Sequence, residues 1–90
     1  MNEKDLIPGT VVQHFKRKML TEAERADSTQ YLYEILGVAH HTETGEKLVV
    51  YRALYGEGKI CARPLDMFLS ETDHEKYPQA KQKFRFEPLK

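Results

Sequence analysis

Two runs rich in aromatic and β-branched residues, YLYEILGVA at 31–39 and LVVYRALY at 48–55, stand either side of HHTETGEK, and this arrangement constrains the chain more than any other feature. Such side chains pack well on a pleated surface. Gly45 supplies the positive φ that a tight connection needs, so the two runs form an antiparallel hairpin centred near it, with Thr42 and Lys47 facing each other or nearly so. A second hairpin follows directly. YGEGK places glycines on both sides of Glu57, and residues 59–63 return as a strand until Pro64 withholds its amide hydrogen.

The flanking segments extend this meander. Pro8-Gly9 reads as a turn before TVVQHFK, where Val11, Val12 and Phe15 predict a first strand over 11–16. Thr21 and Glu24 fit a capping box, but the surrounding 18–30 segment is too short for more than a brief helix or an ordered loop. PLDMF predicts a single turn in which Leu65, Met67 and Phe68 close one end of the core. Residues 70–83 form a polar connection, with a short helix after Pro78 as an option. In KFRFE, Phe84 and Phe86 share one parity, which predicts a last strand over 84–87 with one face on the core.

A chain of 90 residues buries only about 60–65% of the surface its unfolded form exposes. Five short strands in so small a chain cover their edges best by curling. The expected fold is therefore all-β: a small barrel of about five mostly antiparallel strands with short helical excursions, in one domain over 1–90. Its barrel core spans 8–69 and 84–87.

Fourteen basic residues balance fourteen acidic ones, which denies the molecule the broad positive field of most nucleic-acid binders. A single cysteine, Cys61, closes no intramolecular disulfide and suits a reducing compartment. The charged start MNEKDLIPG has no apolar signal core, and no run approaches the roughly 18 apolar residues of a spanning helix. A cytoplasmic location is the expectation.

HHTETG invites comparison with a metal or acid–base centre. Adjacent strand residues point to opposite faces, so His40 and His41 converge on one ion only if a bulge intervenes, and His14, His74 and Cys61 add no recognised metal spacing. A polar hairpin end is the better reading, and neither metal nor cofactor is implied. Cys61 lacks a histidine at a diagnostic spacing and reads as a small half-buried side chain.

PGTVVQHFK, YEILGVAHHTETGEKLVVYRALYGEGKICARPLDMF and KFRFE together resemble the DUF1653 family, small bacterial domains of unknown function. The resemblance implies an SH3-like barrel. It also marks His14, His41, Glu43, Tyr51, Arg52, Tyr55 and Arg63 as characteristic polar residues, and residues 18–30 as an extension relative to shorter members.

Three classes of function follow. In the first, an uncharacterised binding or accessory module uses these seven residues, Arg63 as anchor, to contact a partner protein, a peptide or a small anionic ligand. The blander alternative has the tyrosines packing at the rim and Arg52 and Arg63 pairing with Glu34, Glu43 or Asp66. In the second, an RNA-associated barrel uses Lys16–Lys18 together with Lys76, Lys81, Lys83, Arg85 and Lys90, although neighbouring acids offset them. The third, acid–base catalysis by His41 and Glu43 with His14, lacks a nucleophile motif or phosphate loop and is the weakest. No membrane contact is expected, and the sequence leaves the oligomeric state open.

Overall fold

The computed structural model describes residues 1–89. Five strands make one antiparallel sheet: β1 (Val11–His14), β2 (Leu32–His40), β3 (Lys47–Ala53), β4 (Ile60–Pro64) and β5 (Phe86–Pro88), in the order β4-β3-β2-β1-β5. Two short helices, α1 (Glu22–Asp27) and α2 (Leu65–Phe68), and two 3-10 turns complete it. The architecture is all-β with short helical pieces. No helix among the described residues is long and apolar enough to cross a membrane.

Both hairpins turn where the glycines stand. Gly45 adopts φ +79° and donates its amide to the His41 carbonyl at 2.8 Å, while Gly56 and Gly58 take φ +61° and +68° around Glu57. Lys47 pairs with His40 instead of Thr42, which belongs to the turn itself. β2 carries a bulge between Ile35 and Gly37, which bends it and deepens the curl of the sheet.

Strand ends differ from expectation for local reasons. β1 stops at His14 because that imidazole caps the following 3-10 turn, Phe15–Met19, accepting from the Lys16 amide at 3.2 Å. β3 stops at Ala53, after which the Leu54 amide bonds the Leu32 carbonyl (2.9 Å) and the chain enters the turn. Phe84 forms an isolated bridge with Glu71, so β5 proper begins at Phe86, and only Phe86 of the two reaches the core. Residues 74–79 form turns without a helix.

The core is aromatic and small. Phe68 and Phe86 stack with centroids 4.1 Å apart and planes 4° from parallel, and Tyr51 meets both edge-on at 5.2 and 5.6 Å. Val12, Ile35, Val49 and Leu6 fill the space around them. Within α2, Phe68 is the plug and Leu65 packs beside it, whereas Met67 faces outward at 48% exposure.

Three polar side chains, Arg17, Thr72 and Gln82, are buried in segments that read as surface, and two of them organise the chain around them. Gln82 is 1% exposed, and its amide group donates to the carbonyls of Phe84 (2.8 Å), Gln13 (3.3 Å) and Arg85 (3.4 Å), fastening the 70–83 connection to β1 and β5. Arg17 turns inward within the basic Lys16–Lys18 triplet. It donates to the carbonyls of Ser28 (3.1 Å), Gln30 (2.9 Å) and Arg25 (3.0 Å), tying both ends of the 18–30 segment together. Thr21 and Glu24 form the reciprocal capping box of α1, at 3.1 and 2.9 Å.

Candidate functional site

Strand register assembles the site. Directly paired residues of antiparallel strands face the same side. Tyr51 pairs with Cys61 and Val49 with Arg63 across β3–β4; His14 pairs with Phe86 across β1–β5; Val12 pairs with Tyr33 and Tyr33 with Ala53. Because Val12, Val49, Tyr51, Ala53 and Phe86 are buried, this shared side is the concave one. His14, Tyr33, Cys61 and Arg63 therefore line the same concavity. β4 and β5 are the two edges of the sheet, and its curl brings Arg63 of the first over the Phe86 ring of the second, 5.8 Å from its centroid.

At this seam lies a cleft of about 310 Å³ between His14, Lys16, Arg63, Asp73, Lys76, Tyr77 and Arg85. Arg63 donates through Nε to the Tyr51 hydroxyl (3.3 Å), and Arg85 through Nε to Ser70 Oγ (3.3 Å). Lys16 and Lys76 hold their ammonium groups 5.5 and 5.6 Å from the centroid of Tyr77. Among the described residues, none of these four cations has a carboxylate oxygen within 4 Å. Asp73 is the one acid among the described residues that lines the cleft, and its Oδ1 accepts from the amides of Glu75 (3.1 Å) and Lys76 (3.2 Å).

His14 takes its character from this setting. Burial first, then the charges of Lys16, Arg85 and Arg63, lower its pKa from 6.5 to about 4, so the ring is neutral at pH 7. Since Nδ1 accepts from Lys16, the geometry assigns the proton to Nε2, leaving a neutral N–H donor beside four cations. The arrangement offers donors and positive charge, which suits an anion.

The other sequence-marked residues have different surroundings. His41 sits at the tip of the first hairpin, where Nδ1 accepts from the amides of Glu43 (3.1 Å) and Thr44 (3.3 Å). Glu43 is exposed in that turn. Arg52 lies on the convex face of β3 and pairs with Glu34, its register partner on β2. Tyr51 is a core residue whose hydroxyl receives Arg63. The Tyr55 hydroxyl meets that of Tyr33 at 2.7 Å, with ring centroids 5.7 Å apart. Burial, and then the Tyr55 hydrogen bond, raise the Tyr33 pKa, keeping its phenol protonated.

Tyr33, Lys16, Lys76, Arg85 and Phe86 join the concavity without having been singled out with the seven. The basic clusters of the sequence had flagged Lys16, Lys76 and Arg85, but only the β1–β5 pairing brings the two clusters together. Lys90 lies outside the described residues. Among those described, no three His, Cys, Asp or Glu side chains gather in a metal-ligating group.

The family model described as "Protein of unknown function (DUF1653)" matches residues 10–88, and the chain belongs to that family. No curated protein and no solved structure matches it.

Proposed function

We propose that this member of the DUF1653 family is a small binding or accessory module whose seam cleft takes an anionic group of a partner protein, a peptide or a small ligand. One observation carries the reading: among the described residues, Arg63 and Arg85 each hydrogen-bond the protein through Nε alone, which leaves two guanidinium forks for a planar or tetrahedral anion. His14 Nε2–H adds a neutral donor. Tyr77, covered by Lys16 and Lys76, offers little ring face for a base to stack on, which favours a compact anion over a polynucleotide. The strand order and the seam support describing the sheet as an SH3-like barrel. A lone cysteine supports a reducing, cytoplasmic setting, and the family resemblance carries the expectation of a bacterial source.

Calorimetric titration of the folded protein with inorganic phosphate and with succinate, at low and at high salt, tests the reading. At least one anion is expected to bind, more weakly as salt rises. Arg85→Ala should weaken it, with little change in unfolding temperature. Absence of binding by either anion at low salt would sink the proposal.

A further inference from the structure

The cationic cleft has an apolar neighbour on the same side of β4. Cys61 and Arg63 alternate with the exposed Ile60 and Ala62, so both point to the concave side, about 7 Å apart along the strand. Around Cys61 lies a second concavity of about 280 Å³, walled by Tyr33, Ala53 and Tyr55 and also lined by Glu57 and Lys59 of the adjoining turn. The two share no lining residue among those described, but the buried Phe86 ring lies beneath both neighbourhoods, under Arg63 and 5.7 Å from the Tyr33 ring. One hydrogen bond links the Tyr33 and Tyr55 hydroxyls, and the wall these side chains present is chiefly ring carbon, with a single O–H remaining as a donor.

We infer that this seam is a two-part site for a phosphate monoester with a flat apolar body, an inference that rests on the anion-binding reading of the cleft. The phosphoryl group lies among Arg63, Arg85 and Lys16, and the body between Tyr33, Tyr55 and Cys61. Four cations against one acid, Asp73, around one small cleft, with His14 as a neutral donor, leave an excess of positive charge that matches a dianion with three terminal oxygens better than a carboxylate, which carries one charge and two oxygens. The tyrosine walls favour a planar body, since aromatic rings pack well in offset or edge-on arrangements. A polyphosphate chain would leave the apolar half empty. The separation of the two parts, set by two residues of an extended strand, calls for a body reaching about 7 Å from the phosphorus.

Three probes separate this inference from the reading beneath it: inorganic phosphate, methyl phosphate and 2-naphthyl phosphate, titrated into the whole ¹⁵N-labelled chain. Naphthyl phosphate should bind about tenfold tighter than methyl phosphate, the gain from burying roughly 60 Å² of apolar surface. It should move the amide signals of Cys61 and Tyr55 as well as those near Arg63, whereas methyl phosphate moves only the latter. Equal affinity of the two esters, or shifts confined to the cationic end, would overturn the two-part site while leaving anion binding intact. Failure of all three phosphates to bind would overturn this inference directly. A Cys61→Phe variant that folds should retain methyl phosphate binding and lose the naphthyl advantage; an undiminished advantage would also count against the site.

Discussion

Two corners of this molecule each hold a histidine, polar neighbours and a turn, yet they differ in what those groups are free to do. At the tip of the first hairpin, His41 accepts from the two amides that follow it, and the turn consumes the hydrogen-bonding capacity of its Nδ1. At the seam, His14 caps a turn in a similar way, but its ring is packed 4.3 Å from Phe15 and 5.1 Å from Phe86 and is surrounded by cations contributed by distant parts of the chain. The first corner is built by local sequence and serves local structure. The second exists only through tertiary pairing, and among the described residues its cations have no carboxylate within 4 Å. A histidine-rich motif is thus a weaker guide to a site than unpaired charge gathered by the fold.

The largest effect should come from removing the floor of the seam. Phe86→Ala deletes a ring that is 2% exposed and stacked on Phe68, and is expected to cost about 3–5 kcal/mol in chemical denaturation. A cost below about 1 kcal/mol would mean that the seam is peripheral to the core.

Next comes acid sensitivity. The His14 pKa is about 4 in the fold against 6.5 for the unfolded chain, so the neutral ring contributes stability that is complete above pH 6.5 and is lost as pH falls toward 4. After discounting for solvent screening, the loss is on the order of 2 kcal/mol. His14→Asn retains an acceptor for the Lys16 amide without the titration. Stability of the two proteins, compared from pH 7 to pH 4, should therefore converge or cross as the wild type loses more. Parallel curves would remove His14 from the acid response.

Arg63→Lys keeps the charge and loses the fork. Anion affinity is expected to fall about tenfold with a small change in unfolding temperature, because Lys presents a point charge where two parallel N–H donors stood. Unchanged affinity in a folded variant would remove the guanidinium geometry from the proposal, while global unfolding would make Arg63 a rim closure. The smallest effect belongs to the hairpin: His41→Ala should cost about 0.5–1 kcal/mol through the lost turn hydrogen bonds and leave phosphate affinity untouched. Weakened phosphate binding there would join the two corners that the geometry separates.

Much of the sheet could be read from the chain because its signals are local. Glycine at 45, 56 and 58 and proline at 64 set the hairpins, and the strand expected over 59–63 forms as Ile60–Pro64. Glu34 was one of three acids weighed as partners for Arg52 or Arg63, and it pairs with Arg52 from the opposite register position. Burial of polar groups was harder to see. Gln82 and Arg17 sit in charged, polar stretches, and nothing in composition marks a side chain whose donors will be used on backbone carbonyls far along the chain. The cleft was half legible for the same reason: Arg63 and His14 were named, whereas Arg85 and Lys76 were assigned to a general basic cluster until β5 paired with β1.

That pairing also sets a sequence of events. β2, β3 and β4 join neighbours through short turns, so their closure entropy is small, and they can pair while later residues are still being added to a growing chain. β1 can pair with β2 in the same period, but its outer edge must wait for β5, with Val12 meeting Pro88 and His14 meeting Phe86 across nearly the whole described chain. Until then Arg85 and Phe86 are absent from the seam. A ligand for this cleft would consequently select chains that have completed their last long-range step, slowing their unfolding and giving no help to the meander that precedes it.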